Sequence, residues 1–294
     1  MKSGRLIRFD WAIKRLLRNK ADHSVLEGFL SVLLDDDIKI ISVKESEGNQ
    51  EHALDKFNRV DMLVENANKE LFIIEIQNSE EVDYYLRMLY GVSKAITEHI
   101  SIGSSYKKVR KVYHINILYF RMGDGKDYVY HGFTEYRGIH SDTVLQLTTE
   151  QKDFFAKEHI RDLYPEYYIL CIEDFDNVAK NSLDQWIYYL KNTEIPEDFT
   201  ARGLKEAREK LLYDNLSEEE KRAYAHHLKQ TNYERNAIET SLAKGIEQGK
   251  TEKAIETALK MLKKGVSIED ICEYTGLTVR QVQELIDKQN QVNY

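Results

Sequence analysis

Residues 55–77 read Asp55-Lys56-Phe57-Asn58-Arg59-Val60-Asp61-Met62-Leu63-Val64-Glu65-Asn66-Ala67-Asn68-Lys69-Glu70-Leu71-Phe72-Ile73-Ile74-Glu75-Ile76-Gln77, and this stretch decides the fold. Two apolar runs, Arg59 to Val64 and Leu71 to Gln77, flank the polar segment Glu65 to Glu70. Strand-length runs joined by turn-forming residues predict an antiparallel hairpin. Upstream, Ile38 to Val43 is a third strand-like run, and before it Leu26, Phe29, Leu30, Leu33 and Leu34 recur at helical spacing, so residues 10–34 are expected to be helical. Downstream, a helix from Tyr84 to His99 separates the hairpin from an alternating strand, Val112 to Phe120. The order helix, strand, strand, strand, helix, strand specifies an α/β fold, with a hairpin and a crossover in one mixed sheet.

Further strands are expected at Tyr128 to Glu135, Thr143 to Leu147 and Tyr167 to Ile172, around a helix at 149–163. A helix from Leu183 to Asn192 ends before Pro196, and beyond it the chain turns helical and charged. The expected division is an α/β domain at 1–195 and a helical C-terminal region at 196–294, with a boundary near 195–205. Within that region a helix ending at Lys264, a helix Ile268 to Tyr274 opened by Ser267, and a helix Val279 to Lys288 opened by Thr278 resemble a helix-turn-helix unit at about 252–290.

The chain has 294 residues, 42% of them apolar, 31% charged and only 2 proline, which excludes disordered and fibrous classes. No apolar run approaches the roughly 18 residues of a membrane helix, and the first residues carry no signal-peptide stretch, so a soluble, cytoplasmic protein without membrane contact is expected. Cys171 and Cys272 are too far apart for a disulfide framework or a thiolate zinc site. Net charge is −8, which argues against a sequence-independent nucleic-acid coat. Its distribution is uneven: residues 1–22 hold seven cations against two carboxylates, and Lys107-Lys108-Val109-Arg110-Lys111 adds a second basic cluster. Either cluster is a phosphate contact or an ordinary solvated face.

In the expected hairpin, Asp61 falls opposite Ile74 or Glu75, which brings two carboxylates to about 5 Å across the strands. Like charges so close destabilise a sheet unless a cation stands between them. Gln77 lies two residues beyond Glu75, on the same strand face. Oxygen donors without His or Cys favour Mg²⁺ or Mn²⁺, and metal-assisted phosphodiester hydrolysis fits such a cluster. The alternative is that Asp61 and Glu75 merely face solvent. Against that, Glu75 sits within Phe72-Ile73-Ile74 and Ile76, a buried-strand run in which a charge needs a reason.

The ordered set Phe9-Asp10-Trp11-Ala12-Ile13-Lys14-Arg15-Leu16, Asp55-Lys56 with Arg59-Val60-Asp61, Ile74-Glu75-Ile76-Gln77, Leu86-Arg87-Met88-Leu89-Tyr90, Gly103-Ser104-Ser105-Tyr106 and Leu183-Asp184-Gln185-Trp186-Ile187-Tyr188-Tyr189-Leu190-Lys191 resembles the Rpn family of recombination-promoting nucleases and transposases, within the PD-(D/E)XK nuclease superfamily. The resemblance spans roughly residues 5 to 195. It implies a restriction-endonuclease-like core, Mg²⁺-dependent cleavage of double-stranded DNA, and Asp61, Glu75 and Gln77 as active-site residues, with Asp61 and Glu75 on the metal. Gln77 departs from the superfamily's E-x-K, although E-x-Q is common in this family. A neutral amide orients the attacking water rather than supplying charge, and slow or conditional cleavage would follow.

Glu27 is the candidate fourth catalytic residue, with capping of its own helix from Ser24 as the alternative. The cations expected on phosphate are Lys14, Arg15, Lys56, Arg59, Arg87, Lys107 and Lys108. His23, His52 and His114 have no partners at ligand spacing and are expected to be structural. In the C-terminal unit Arg280 and Lys288 are balanced by Glu284 and Asp287, so weak phosphate attraction is expected there. The stripe Ile255, Leu259, Leu262 needs a partner, which self-association into a homo-oligomer or docking on the nuclease domain would supply. The rival function is a DNA- or protein-binding regulator that retains the nuclease fold with little catalysis.

Overall fold

The computed structural model describes residues 5–18, 23–44, 62–101 and 103–292, with the side chains of 14–18, 234 and 289–292 outside that description. In chain order the strands are β1 (Ile40–Lys44), β2 (Met62–Asn66), β3 (Leu71–Gln77), β4 (Val112–Leu118), β5 (Val129–Gly132) and β6 (Glu166–Cys171). The helices are α1 (Phe9–Arg18), α2 (Ser24–Leu34), α3 (Tyr84–Glu98), α4 (Thr149–Phe155), α5 (Ser182–Asn192), α6 (Leu204–Lys210), α7 (Glu218–Lys263), α8 (Ile268–Thr275) and α9 (Val279–Val292).

The six strands form one mixed sheet in the order β1-β2-β3-β4-β6-β5. β2 and β3 make the expected antiparallel hairpin, with Met62 opposite Ile74 and Leu63 opposite Ile73. β3, β4 and β6 run parallel, and the crossover from β3 to β4 is made through α3. A parallel strand inside a sheet covered on both faces is apolar in every position, and this explains the unbroken Leu71-Phe72-Ile73-Ile74. Val64, Phe72, Ile74, Ile115, Ile117 and Leu170 pack on one face against Phe9, Phe29, Leu30, Trp186, Leu190 and Leu204 from the helices α1, α2, α5 and α6. The opposite face lies under α3, with Leu63, Ile73 and Val112 against Val92 and Ala95. Farther along that face, Leu118 packs against Tyr84 and Met88.

Two local expectations are corrected. Thr143 to Leu147 joins no strand: only Val144 makes a single bridge, to Arg137, and Leu145 is exposed. The helix at 149–163 stops at Phe155, because Ala156 adopts a left-handed conformation (φ 54°) and ends it; Ile160–Leu163 is a separate 3-10 turn. At its start α4 carries a complete capping box between Thr148 and Gln151.

Contacts divide the chain into residues 1–229 and 230–294. The first unit includes residues past 195 because Leu204, Ala207, Leu211, Leu216 and Tyr224 are buried in its core. In the second unit Ala258, Ile271, Leu277 and Val282 form a small core of their own. Ser267 caps α8 as expected, its hydroxyl accepting the Asp270 amide at 3.1 Å, and Gly276 ends it at φ 72°. Among the described residues, no helix is long and apolar enough to cross a membrane.

Candidate active site

Strand alternation sends Leu71, Ile73, Glu75 and Gln77 of β3 to the face covered by α3. The first two are apolar and belong under the helix. Glu75 continues the row yet is a carboxylate with 2% exposure, while Gln77, at the end of the strand, is half-buried. The parallel register sets Glu75 beside Asn116 and Ile73 beside His114 on β4. His114 and Asn116 have no exposed surface. A polar strip therefore crosses the sheet beneath the N-terminal half of α3.

Asn116 uses its amide nitrogen on the backbone oxygens of His114 and Tyr168, at 3.2 Å each. Its Oδ1 then accepts from the Tyr84 hydroxyl at 3.0 Å, and the same hydroxyl stands 3.2 Å from Glu75 Oε2. One proton serves these two acceptors in turn. Glu75 Oε1 is buried with no hydrogen-bond partner, as are both ring nitrogens of His114. The nearest of those nitrogens, Nε2, is 3.8 Å from Glu75 Oε2, beyond hydrogen-bond reach.

Arg87, one turn into α3, brings the cation. Its Nε is 3.9 Å from Glu75 Oε2, while Nη1 donates to both oxygens of Glu81 at 2.8 and 3.0 Å. Glu81 also accepts the side-chain amide of Gln77. Glu75, Arg87, Glu81 and Gln77 thus form a continuous chain of contacts. Burial alone would lower the Arg87 guanidinium's pKa, but the Glu75 and Glu81 carboxylates outweigh it and hold the group above its ordinary value. Beyond Gln77, Asn78 Oδ1 accepts from Arg8 at 3.0 Å. Arg8 is in turn held by the buried Asp10, 3.0 Å away, which also meets His227 at 3.2 Å. The basic arm is thereby tied to the open end of β3.

Among the residues singled out in the sequence, the structure brings together Glu75, Gln77 and Arg87. Asp61, Lys56 and Arg59 lie outside the described residues. Lys14 and Arg15 lie on α1, with side chains outside that description. Glu27 neither joins this network nor caps its own helix. α2 starts from His23, and Glu27 Oε1 accepts the Ile40 amide at 2.9 Å, pinning β1 to α2. Lys107 and Lys108 form a 3-10 turn before β4, lining a groove of about 580 Å³ with Lys69 and Lys157. That groove lies where β3 and β4 begin, about 20 Å of strand from Gln77. The site residues that sequence reasoning missed are Tyr84, Glu81, His114 and Asn116. Their signal was present in part: His114 and Asn116 share one face of a strand otherwise apolar there, though nothing local says that this face adjoins Glu75.

A hard divalent cation fits what the strip offers. An oxygen donor buried without a partner, Glu75 Oε1, belongs to a carboxylate flanked by the Tyr84 hydroxyl and the His114 imidazole. Among the described residues alone, no three His, Cys, Asp or Glu side chains are grouped to hold a metal. Residues 7–241 match the family described as PD-(D/E)XK nuclease family transposase. No curated protein and no solved structure matches the chain.

Proposed function

The chain belongs to the PD-(D/E)XK nuclease family of transposases, and from this premise we propose that it is a divalent-metal-dependent endonuclease acting on double-stranded DNA. Asp61 and Glu75 are its metal-holding carboxylates, and Gln77 is the residue that orients the attacking water. The observation that carries the reading is the buried Glu75, with one oxygen unpartnered and Gln77 two residues on along the same face. Asp61 immediately precedes Met62, which pairs with Ile74, the neighbour of Glu75.

A bound Mg²⁺ or Mn²⁺ would polarise the phosphodiester and lower the pKa of the attacking water. The protein's own groups do the rest. Glu75 contributes a carboxylate whose position is fixed from two sides by the Tyr84 hydroxyl and the Arg87 guanidinium. Gln77, neutral, positions water by hydrogen bonding and adds no charge. Arg87 supplies a phosphate contact at this end of the sheet and Lys107 and Lys108 supply them at the far end, with Lys14, Arg15, Lys56 and Arg59 as further phosphate-binding cations. The slight exposure of Glu75 favours cleavage that is slow or conditional over an open, constitutive site.

The test is nicking of supercoiled plasmid with Mg²⁺, Mn²⁺ or EDTA. Cleavage is expected with either ion and absent in EDTA, and Asp61→Ala and Glu75→Ala are each expected to abolish it. Undiminished cleavage by both variants at equal protein concentration overturns the assignment.

A further inference from the structure

Glu75 and Arg87 stand in an unusual relation. Their closest approach, 3.9 Å, is Coulombic contact without a hydrogen bond, and each keeps a buried polar atom unpartnered, Oε1 on the one and Nε on the other. The hydrogen bonds of the guanidinium go instead to Glu81, whose side chain is 34% exposed against 3% for Glu75. Arg87 therefore neutralises the inner carboxylate while being bound to the outer one. Withdrawing it from Glu75 breaks no hydrogen bond. The same Glu81 carboxylate holds the Gln77 amide, so Glu81 links Arg87 to Gln77 as well.

From this arrangement we infer that Glu81 is a positioning residue of the site: Arg87 fills the cation's place beside Glu75 in the metal-free protein, and Glu81 is the carboxylate that keeps Arg87 when a divalent ion takes Glu75. The inference rests on the reading of Glu75 as a metal ligand. A guanidinium and a divalent cation are like charges, and both cannot stay at full strength beside one buried carboxylate. A partner at the rim lets the guanidinium yield without becoming unpaired, since a buried donor without an acceptor is costly. Glu81 has that placement. It lies just ahead of α3 and is tied to the helix start, with the Tyr84 amide donating to its backbone oxygen at 3.2 Å. An ion that displaces Arg87 toward Glu81 also changes what Glu81 offers Gln77, which would release that amide for water when metal is present.

The experiment is Mn²⁺ binding to the full chain without DNA, followed by the electron paramagnetic resonance of the free ion. Arg87→Gln is expected to tighten Mn²⁺ binding at least about tenfold, because removing a like charge near 4 Å from a doubly charged ion counts for that much even at the dielectric of bulk water. Arg87→Met, which keeps an apolar stem under the helix, is expected to do the same. Glu81→Gln is expected to weaken binding several-fold in the parent and to change it less than about twofold in the Arg87→Gln background, because its effect is exerted through Arg87. Tryptophan fluorescence melting of each variant checks that it is folded. Loss of Mn²⁺ binding in Glu75→Gln with no tightening in either Arg87 variant overturns this inference and leaves the proposed function standing. An additive Glu81→Gln effect in the Arg87→Gln background overturns it too, since Glu81 would then act on the ion directly. Unchanged Mn²⁺ binding in Glu75→Gln overturns the metal site itself, and the inference with it.

Discussion

Gly28→Ala and Gly249→Ala are the same substitution in two helices, and the structure requires opposite outcomes. On α2, a Cβ at Gly28 would stand 2.4 Å from Gly203 Cα and 2.8 Å from the Arg202 carbonyl oxygen. These are backbone atoms and cannot rotate away. Gly203 cannot move aside freely, because its φ of 85° heads α6 and a Cβ there would itself meet Trp186 at 3.0 Å. The close approach brings α2 against the turn that carries Arg202 and Gly203, and Glu27, next in the chain, reaches the Ile40 amide from that position. Overpacking of this kind costs about 1–3 kcal/mol, and unyielding backbone puts it at the upper end. Replacing helical Gly by Ala returns about 1 kcal/mol. A net loss of about 2 kcal/mol remains, or roughly 4–8 °C for a unit of this size. At Gly249 on α7, nothing lies within 4 Å of an added Cβ, so only the propensity gain of about 1 kcal/mol is left. The chain has 2 tryptophans, Trp11 and Trp186, both in the first unit, so their fluorescence follows that unit while helical ellipticity also follows the second. A fluorescence midpoint for Gly28→Ala equal to or above the parent's would refute the packing argument.

Gln77→Lys is expected to keep or raise single-turnover cleavage, with its ammonium paired to Glu81, whereas Gln77→Ala is expected to lower it about tenfold or more; equal rates for Gln77→Ala and the parent would make Gln77 an ordinary strand residue. The buried Asp10 gives a pH signature: burial would raise its pKa, but His227 and Arg8 hold it below the usual carboxylate value. A depressed carboxylate contributes stability above its unfolded pKa near 3.9 and loses it as pH falls through the folded value. Asp10→Asn should therefore lower the fluorescence melting midpoint at pH 7, the shift corresponding to about 2–3 kcal/mol, and the deficit should shrink as pH falls below the unfolded value near 3.9. A deficit that is the same at pH 7 and pH 3 would show that Asp10 acts through packing alone.

Periodicity by itself determined much of this protein. Unbroken Leu71-Phe72-Ile73-Ile74 specifies a strand buried on both faces, and the polar Asn68 to Glu70 belong to the turn that folds it back on Met62 to Asn66. A carboxylate inside that run then marks itself as a candidate site residue, because burial of charge needs a compensating partner. Ser267 and Gly276 likewise set the ends of α8 through local capping chemistry. Short-range pattern says which residues are buried, but it does not say what they are buried against. That Glu75 lies beside Asn116 depends on the register between β3 and β4, which are joined only through a crossover. That register is a long-range pairing between the two strands, and the packing of α3 on the sheet delivers Tyr84 and Arg87 to Glu75. Glu27 shows the same limit: one turn into its helix it looks like a cap, yet its acceptor is used by the Ile40 amide of another element. Lys107 and Lys108 have the charge for phosphate, but the direction of β4 puts them at the strand's beginning, away from Gln77. Sequence specified the candidate site carboxylate and the strand that carries it; only tertiary packing decided which cation, hydroxyl and amide surround it, because those neighbours are set by contacts between elements distant in the chain.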